Sequence, residues 1–191
     1  MNLILASGSP YRRELLARLR VPFDVQAPDI DEAPRARETP QALARRLAHA
    51  KAAVVAAASP GSVVIGSDQV ATLDGATPIG KPGTHEAARR QLQAASGKVM
   101  QFHTAFVLLA PGRADITGCV PVAVEFRHLD DAEIERYLAL EQPFDCAGAA
   151  KCEGLGIALL RSIRTDDPTA LIGLPLMQVA DALRQVGLSP T

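Results

Sequence analysis

Two apolar runs of eleven residues each, 99–109 and 116–126, are separated by a short polar segment containing Pro111 and Gly112. They read as the two arms of one long antiparallel pair of strands. On both sides of this pair, short apolar runs alternate with stripes of helical period. That alternation belongs to βα units, so the whole predicts a mixed α/β sheet flanked by helices. The chain has 191 residues, enough for one domain or for two small lobes sharing a core. No repeat, linker or low-complexity stretch divides it, so residues 1–191 are expected to form a single domain.

The local signals are specific. Leu3-Ile4-Leu5-Ala6 reads as a buried strand, broken by Ser7-Gly8. Ser9 then suits a helix N-cap and Pro10 the first helical position, with Leu15, Leu16 and Leu19 on the apolar face. A strand is expected at 23–27 and a polar loop at 28–38. A helix is expected after Thr39-Pro40, with Leu43, Leu47, Ala50, Val54 and Ala58 as its stripe. Val63-Val64-Ile65-Gly66 reads as a strand with Ser67-Asp68-Gln69 at its end, and Asp74-Gly75 as a hairpin-type turn. Thr84 caps a helix to about Ala95, closed by Ser96-Gly97. Asp130 and Glu133 resemble a capping box opening a helix to Leu140. A loop of small residues at 142–156, a strand at 157–163, a turn at Asp166-Asp167-Pro168 and a helix at 174–186 complete the reading.

Charge narrows the function. Twenty Lys and Arg stand against 21 Asp and Glu, a net charge of −1, which disfavours general DNA or RNA binding. A small phosphorylated ligand needs only a few local cations. Three cysteines without a CxxC pair argue against a disulfide framework, and four scattered histidines argue against zinc. The apolar start, Met1 to Ala6, is short for a signal peptide, and no run approaches the roughly 20 residues of a spanning helix. The expected location is cytoplasmic, with no membrane partner.

Several segments carry candidate chemistry. Arg12 and Arg13 fall in the first turn of a helix, where free N–H groups already attract anions. Two cations there oppose the helix dipole, although a solvated basic face would carry them equally well. Asp29, Asp31 and Glu32 can hold Mg²⁺ or Mn²⁺, while a plain polar loop is the simpler reading. Asp68, read at the C-terminal end of a strand, is placed to bind metal or activate water, or merely to turn the chain. Residues 75–81 match G-x-x-x-x-G-K, but Pro82 replaces the metal-binding hydroxyl and lacks an N–H. A Walker A loop is therefore rejected, leaving Lys81 as a point charge for phosphate. Lys51 lies at the edge of its stripe, where a lysine ordinarily snorkels. Cys146 and Cys152 are expected to pack, among small residues that let backbone approach a ligand.

Taken together, these segments resemble the Maf family of nucleoside triphosphate pyrophosphatases over nearly the whole chain. The resemblance is carried by Leu-Ile-Leu-Ala-Ser-x-Ser-Pro-x-Arg-Arg at 3–13, Asp31-Glu32, Leu47-Ala48-His49-Ala50-Lys51 and Ile65-Gly66-Ser67-Asp68-Gln69. Gly80-Lys81-Pro82, Cys146-Ala147-Gly148, Glu153-Gly154 and Gly173-Leu174-Pro175 complete it. It implies an elongated mixed sheet with two lobes around a central cleft, as in inosine triphosphate pyrophosphatases. It further implies hydrolysis between the α- and β-phosphates with a divalent metal and, in many members, a homodimer. The older family label implies a link to septum formation that no residue here tests. Tyr11, Gln69 and Glu153 resemble the subgroup acting on 7-methyl-GTP, which commonly has Trp at the first position. The dTTP/UTP group typically carries Arg, Thr and Gln there.

On that resemblance the expected roles follow. Asp68 and Glu32, with Asp31, hold the metal, and Asp68 takes a proton from the attacking water. Arg12, Arg13, Lys51 and Lys81 clamp the triphosphate, with Ser7 and Ser9 adding hydrogen bonds. Tyr11, Gln69 and Glu153 set base preference. The rival readings are a pyrophosphatase for dTTP/UTP or another modified nucleotide, and a nucleotide-binding regulator of cell division without catalysis.

Overall fold

Six strands form one sheet, in the spatial order 24–25, 3–6, 63–72, 99–109, 116–126 and 160–164, in the computed structural model, which describes residues 2–190. Met1, at the head of the first apolar run, and Thr191 lie outside the described residues. The strands are β1 (Leu3–Ala6), β2 (Asp24–Val25), β3 (Val63–Thr72), β4 (Val99–Leu109), β5 (Ile116–Phe126) and β6 (Leu160–Arg164). β1 pairs in parallel with β2 and β3, and the pairs from β3 to β6 are antiparallel. The sheet is mixed, as expected, and both arms of the long hairpin keep their expected bounds.

Five α-helices flank it: α1 (Pro10–Ala17), α2 (Pro40–Ala58), α3 (His85–Ala95), α4 (Asp131–Glu141) and α5 (Leu176–Gln185). Their starts follow local cap chemistry. Ser9, Thr39, Thr84 and Asp130 each accept from the backbone N–H three residues on. The capping box at Asp130 is completed on one side only, because the Glu133 carboxylate is taken by Arg127.

Side chains alternate across the sheet and build separate apolar clusters. Val64, Val70, Ala105 and Val107 pack under α2 through Leu43, Leu47, Ala48, Ala52 and Val55. On the opposite face, Ile65, Phe106 and Leu108 meet α1 and α5. Further along that face, Phe102, Val122 and Phe126 meet α3 and α4.

Several boundaries differ from expectation. β2 has only two residues. The expected strand at 157–163 is a 3₁₀ turn, Leu155–Leu159, followed by β6. The last helix begins at Leu176, after a 3₁₀ turn at Pro168–Ile172 and Pro175. The stripe of α2 also runs in another phase. Lys51 is buried, at 7% exposure, whereas Val54 is 46% exposed. Alanines on every side of α2 conceal which face touches the sheet.

The largest revision concerns β3. It runs unbroken through Ser67, Asp68 and Gln69 to Thr72, paired with β4 along its length. Asp68 therefore lies in mid-strand rather than at a strand end. The cleft still opens at a strand terminus, but that terminus belongs to β1. Ala6 pairs with Gly66, and the chain then leaves as Ser7-Gly8-Ser9. Five residues further along β3, Ala71 pairs with Ile79 in an isolated antiparallel bridge. Between those two contacts, Asp68, Gln69 and Val70 line the cleft.

Candidate active site

The cleft has a volume of about 900 Å³. Ser7, Ser9, Arg12, Lys51, Asp68 and Lys81 all line it, with Glu32 on one side and Tyr11, Gln69 and Glu153 further along. A volume near the upper end of small-ligand sites accommodates a nucleotide.

Its centre is an ion cluster. Lys51 Nζ lies 2.6 Å from Asp68 Oδ1 and 2.7 Å from Glu32 Oε1. The Lys51 and Asp68 side chains are 8% and 9% exposed, whereas Glu32 is 58% exposed. The placement follows from Gly66, where α2 lies directly on β3. Asp68 is two residues along the same face, and Lys51 projects over it from the next turn of α2. Glu32 arrives on the 28–38 loop, which Arg46 fastens to α2. Arg46 donates to both Glu38 carboxylate oxygens, at 2.6 and 2.8 Å, and to the Ala33 carbonyl at 3.0 Å.

Arg12 approaches from the other side. Its Nε donates to the Gly173 carbonyl at 2.9 Å, and a terminal nitrogen lies 3.5 Å from Ser7 Oγ. Burial pulls the guanidinium pKa down, and the charges of Asp68 and Glu32 oppose that shift. Ser67 Oγ donates to the same Gly173 carbonyl at 3.0 Å, so β3 and the start of α1 are tied to one backbone atom. Ser7 Oγ accepts from Ser9 N, and Ser9 Oγ from Arg12 N, which closes the turn at the helix start. Lys81 stands exposed at the rim, two residues after Ile79.

Two residues of the expected set do not converge. Arg13 is exposed and lines a separate shallow hollow with Phe23 and Asp24, because one residue of helix turns it about 100° from Arg12. Asp31 is absent from the cleft lining. Its Oδ1 accepts from Ala33 N at 2.9 Å, which spends the carboxylate on its own turn.

At the far end, Tyr11 Oη donates to Asp145 Oδ1 at 3.3 Å, and Lys151 Nζ lies 5.5 Å from the ring centroid. Burial, then the neighbouring Cys146 and Asp145, raises the tyrosine pKa. Lys151 is itself paired with Glu141 at 3.0 Å. Asp145 and Glu153 are thus acidic lining groups beside an aromatic ring. The Gln69 amide nitrogen reaches Thr104 Oγ1 and the carbonyls of Ala170 and Leu171, at 2.9–3.0 Å. It holds the 168–172 turn against β3, and among the described residues no hydrogen bond is made to its carbonyl oxygen. Sequence reasoning missed Asp145 and Ser67. The only local signal for Asp145 was its place just before Cys146-Ala147-Gly148.

The donor set suits a hard divalent cation. Two carboxylates converge on one point already holding a positive charge, and phosphate oxygens and water can complete six-fold coordination. Among the described residues no group of three or more His, Cys, Asp or Glu is placed to hold a metal. Any such ion would therefore rest on Asp68 and Glu32, with other ligands supplied by its substrate.

A mixed α/β sheet with a nucleotide-sized cleft, cationic around an acidic pair and acidic around an aromatic ring, defines a protein that handles a phosphorylated nucleoside. The description "Maf-like protein" matches residues 2–186, and the chain belongs to the Maf family. It is 58% identical over 189 residues to the 7-methyl-GTP pyrophosphatase of Albidiferax ferrireducens, covering 98% of this chain and 94% of that protein. It is 56% identical to the protein of the same name from Bordetella pertussis, covering 99% and 94%. The one from Cupriavidus metallidurans is also 56% identical, covering 97% and 93%. Among solved structures, the Ham1 protein of Staphylococcus aureus superposes with a TM-score of 0.45 at 15% identity, over 66% of this chain and 72% of that one. No helix among the described residues is long and apolar enough to cross a membrane.

Proposed function

We propose that this protein is a nucleoside triphosphate pyrophosphatase that hydrolyses 7-methyl-GTP to 7-methyl-GMP and pyrophosphate. The observation that carries the reading is the meeting of Lys51, Asp68 and Glu32 at 2.6–2.7 Å in a cleft that Arg12 and Lys81 also line. Three relatives at 56–58% identity, each matched over nearly its full length, bear that activity in their names.

Arg12, Lys51 and Lys81 neutralise the triphosphate and the departing pyrophosphate. Ser7 and Ser9 add hydroxyls at the start of α1, where free N–H groups favour an anion. Asp68 orients the attacking water and takes its proton. A bound Mg²⁺ or Mn²⁺ on Asp68 and Glu32 would supply Lewis-acid stabilisation of the phosphoryl oxygens.

Methylation at N7 makes the guanine ring cationic. An aromatic face attracts such a cation by about 0.5–2 kcal/mol. Tyr11 offers that face, and the Glu153 carboxylate can accept from the ring N1–H and the exocyclic amine. Asp145, beside Tyr11, favours a positive base over a neutral one. Gln69 contributes through its carbonyl oxygen and by fixing the floor of the cleft.

The test is a pyrophosphate-release screen with Mg²⁺ over 7-methyl-GTP, GTP, dTTP and UTP. Fastest release from 7-methyl-GTP is expected. Preference for dTTP or UTP would overturn the substrate, and nucleotide binding without pyrophosphate release would make the protein a sensor.

A further inference from the structure

We infer that the Lys51 ammonium stands where a divalent cation would bind, so that metal enters the free protein only by displacing it and binds cooperatively with the triphosphate. The inference rests on reading the cleft as a metal-dependent pyrophosphatase site, and it adds an order of events to that reading.

The geometry points to competition rather than to a passive ion pair. Lys51 Nζ is within 2.7 Å of oxygens from two carboxylates that come from separate segments, a mid-sheet strand and a surface loop. A cation accepted by both carboxylates must lie in nearly the same place. Two positive charges a few ångströms apart in a poorly hydrated site repel strongly, so the two occupants exclude each other. The carboxylates also supply too few ligands to outcompete Lys51 by number, because no third metal-binding side chain is placed beside them among the described residues.

A triphosphate changes both terms. Its oxygens complete the coordination of the metal, and they give Lys51 another anion to bind. A lysine suits such a transfer, since its charge is compact and sits on a flexible stem. Arg12 is held differently, with Nε on the Gly173 carbonyl and a terminal nitrogen on Ser7 rather than on either carboxylate. Lys51 thus offsets one of the two negative charges of the acidic pair until substrate arrives. By linkage, whatever factor nucleotide adds to metal affinity, metal adds to nucleotide affinity.

The experiment measures Mn²⁺ binding by electron paramagnetic resonance and calorimetry. The wild-type protein and Lys51→Met are compared with and without 7-methyl-GTP carrying a methylene bridge between the α- and β-phosphorus atoms. Without nucleotide, Lys51→Met is expected to bind Mn²⁺ more tightly than wild type, roughly 5–150-fold, the usual range of coupling between sites. The nucleotide analogue should then add less to the variant than to wild type. Equal or weaker Mn²⁺ binding by Lys51→Met overturns the inference, as does wild-type affinity that nucleotide leaves unchanged. Lys51→Gln serves in the same comparison if Lys51→Met fails to fold, and the wild-type measurement needs no variant. Absence of Mn²⁺ binding by every protein, beyond what the analogue itself holds, instead overturns the metal-dependent reading.

Discussion

Gly66 and Ala48 approach so closely that a β-carbon on Gly66 would lie 2.2 Å from the Ala48 carbonyl oxygen and 2.8 Å from Ala52 N. That contact lets α2 rest on the strand carrying Asp68, and it places Lys51 within reach. The atoms in the way are backbone, so no side-chain rotation relieves a clash. Gly66→Ala is expected to lift α2, cost about 1–3 kcal/mol as overpacking does, and lower kcat as Lys51 withdraws from Asp68. Urea unfolding and turnover at saturating nucleotide check this. Wild-type values for both would mean that the close approach is not needed.

Asp68→Asn keeps the shape of the side chain and removes its charge. Lys51 retains Glu32 as a partner, so the fold is expected to survive with some loss of stability. Breaking a buried pair costs about 3–5 kcal/mol at most sites studied, and the exposed Glu32 should soften that. Turnover is expected to fall by roughly 10²–10⁴, the scale of general-base loss. Pyrophosphate release is measured beside circular dichroism, and undiminished turnover in a folded variant would exclude Asp68 from the chemistry.

Glu153→Gln tests base recognition apart from hydrolysis. A charge-assisted hydrogen bond contributes about 1.5–3 kcal/mol, so the kcat/KM preference for 7-methyl-GTP over UTP, whose base lacks that donor pair, should shrink roughly 10- to 150-fold. Turnover of the less favoured nucleotide should stay near wild type. An unchanged ratio would take Glu153 out of base reading.

Legibility in the sequence tracked the range of the interaction. Ser9, Thr39, Thr84 and Asp130 announce helix starts because a cap acts over three residues. The hairpin arms were readable because two long runs rich in β-branched and aromatic residues flank a Pro-Gly turn. β3 was cut short because aspartate is disfavoured in strands, and only its pairing with β4 carries it past Asp68. The phase of α2 was hidden by its alanines, so the inward aim of Lys51 came from family resemblance and not from periodicity. Neighbours in one motif also diverge. Arg12 enters the cleft while Arg13 turns away, and Glu32 enters while Asp31 folds onto its own turn. The Tyr11–Asp145 contact joins residues 134 positions apart, a distance no local pattern spans.

Cys146 lines the base end of the cleft and Cys152 packs against the adjoining apolar cluster, and both are poor nucleophiles. Burial, with help from Asp145 and Glu153, pushes each thiol up to about 12. An ordinary cysteine titrates near 8.5, and only the thiolate attacks. At pH 8 both thiols stay protonated, so alkylation by iodoacetamide should be at least about 100-fold slower in the folded protein than in urea. Peptide mass spectrometry over time reads the rates. Fast labelling of either residue in the native state would contradict the burial described.

The loop carrying Glu32 should loosen in acid before the rest of the fold. Arg46 holds Glu38 through both carboxylate oxygens, and this hydrogen bonding, with a further bond from Arg35 N, lowers the Glu38 pKa from 4.5 to about 2. A depressed carboxyl contributes its stabilisation fully above the unfolded value and loses it as pH falls through the folded one. The stability difference between wild type and Glu38→Gln should therefore be constant above about pH 5, then shrink between 4.5 and 2. Because Arg46 also binds the Ala33 carbonyl, next to Glu32, Arg46→Ala should free that segment. Glu32 would then lose its fixed approach to Lys51, and kcat/KM should fall by roughly tenfold or more, the scale on which misplaced groups cost rate. Urea midpoints across the pH range test the first expectation and steady-state kinetics at pH 7 the second. A pH-independent difference would mean that Arg46 does not hold the Glu38 charge, and unaltered kinetics in Arg46→Ala would mean that Glu32 is positioned by something other than this loop.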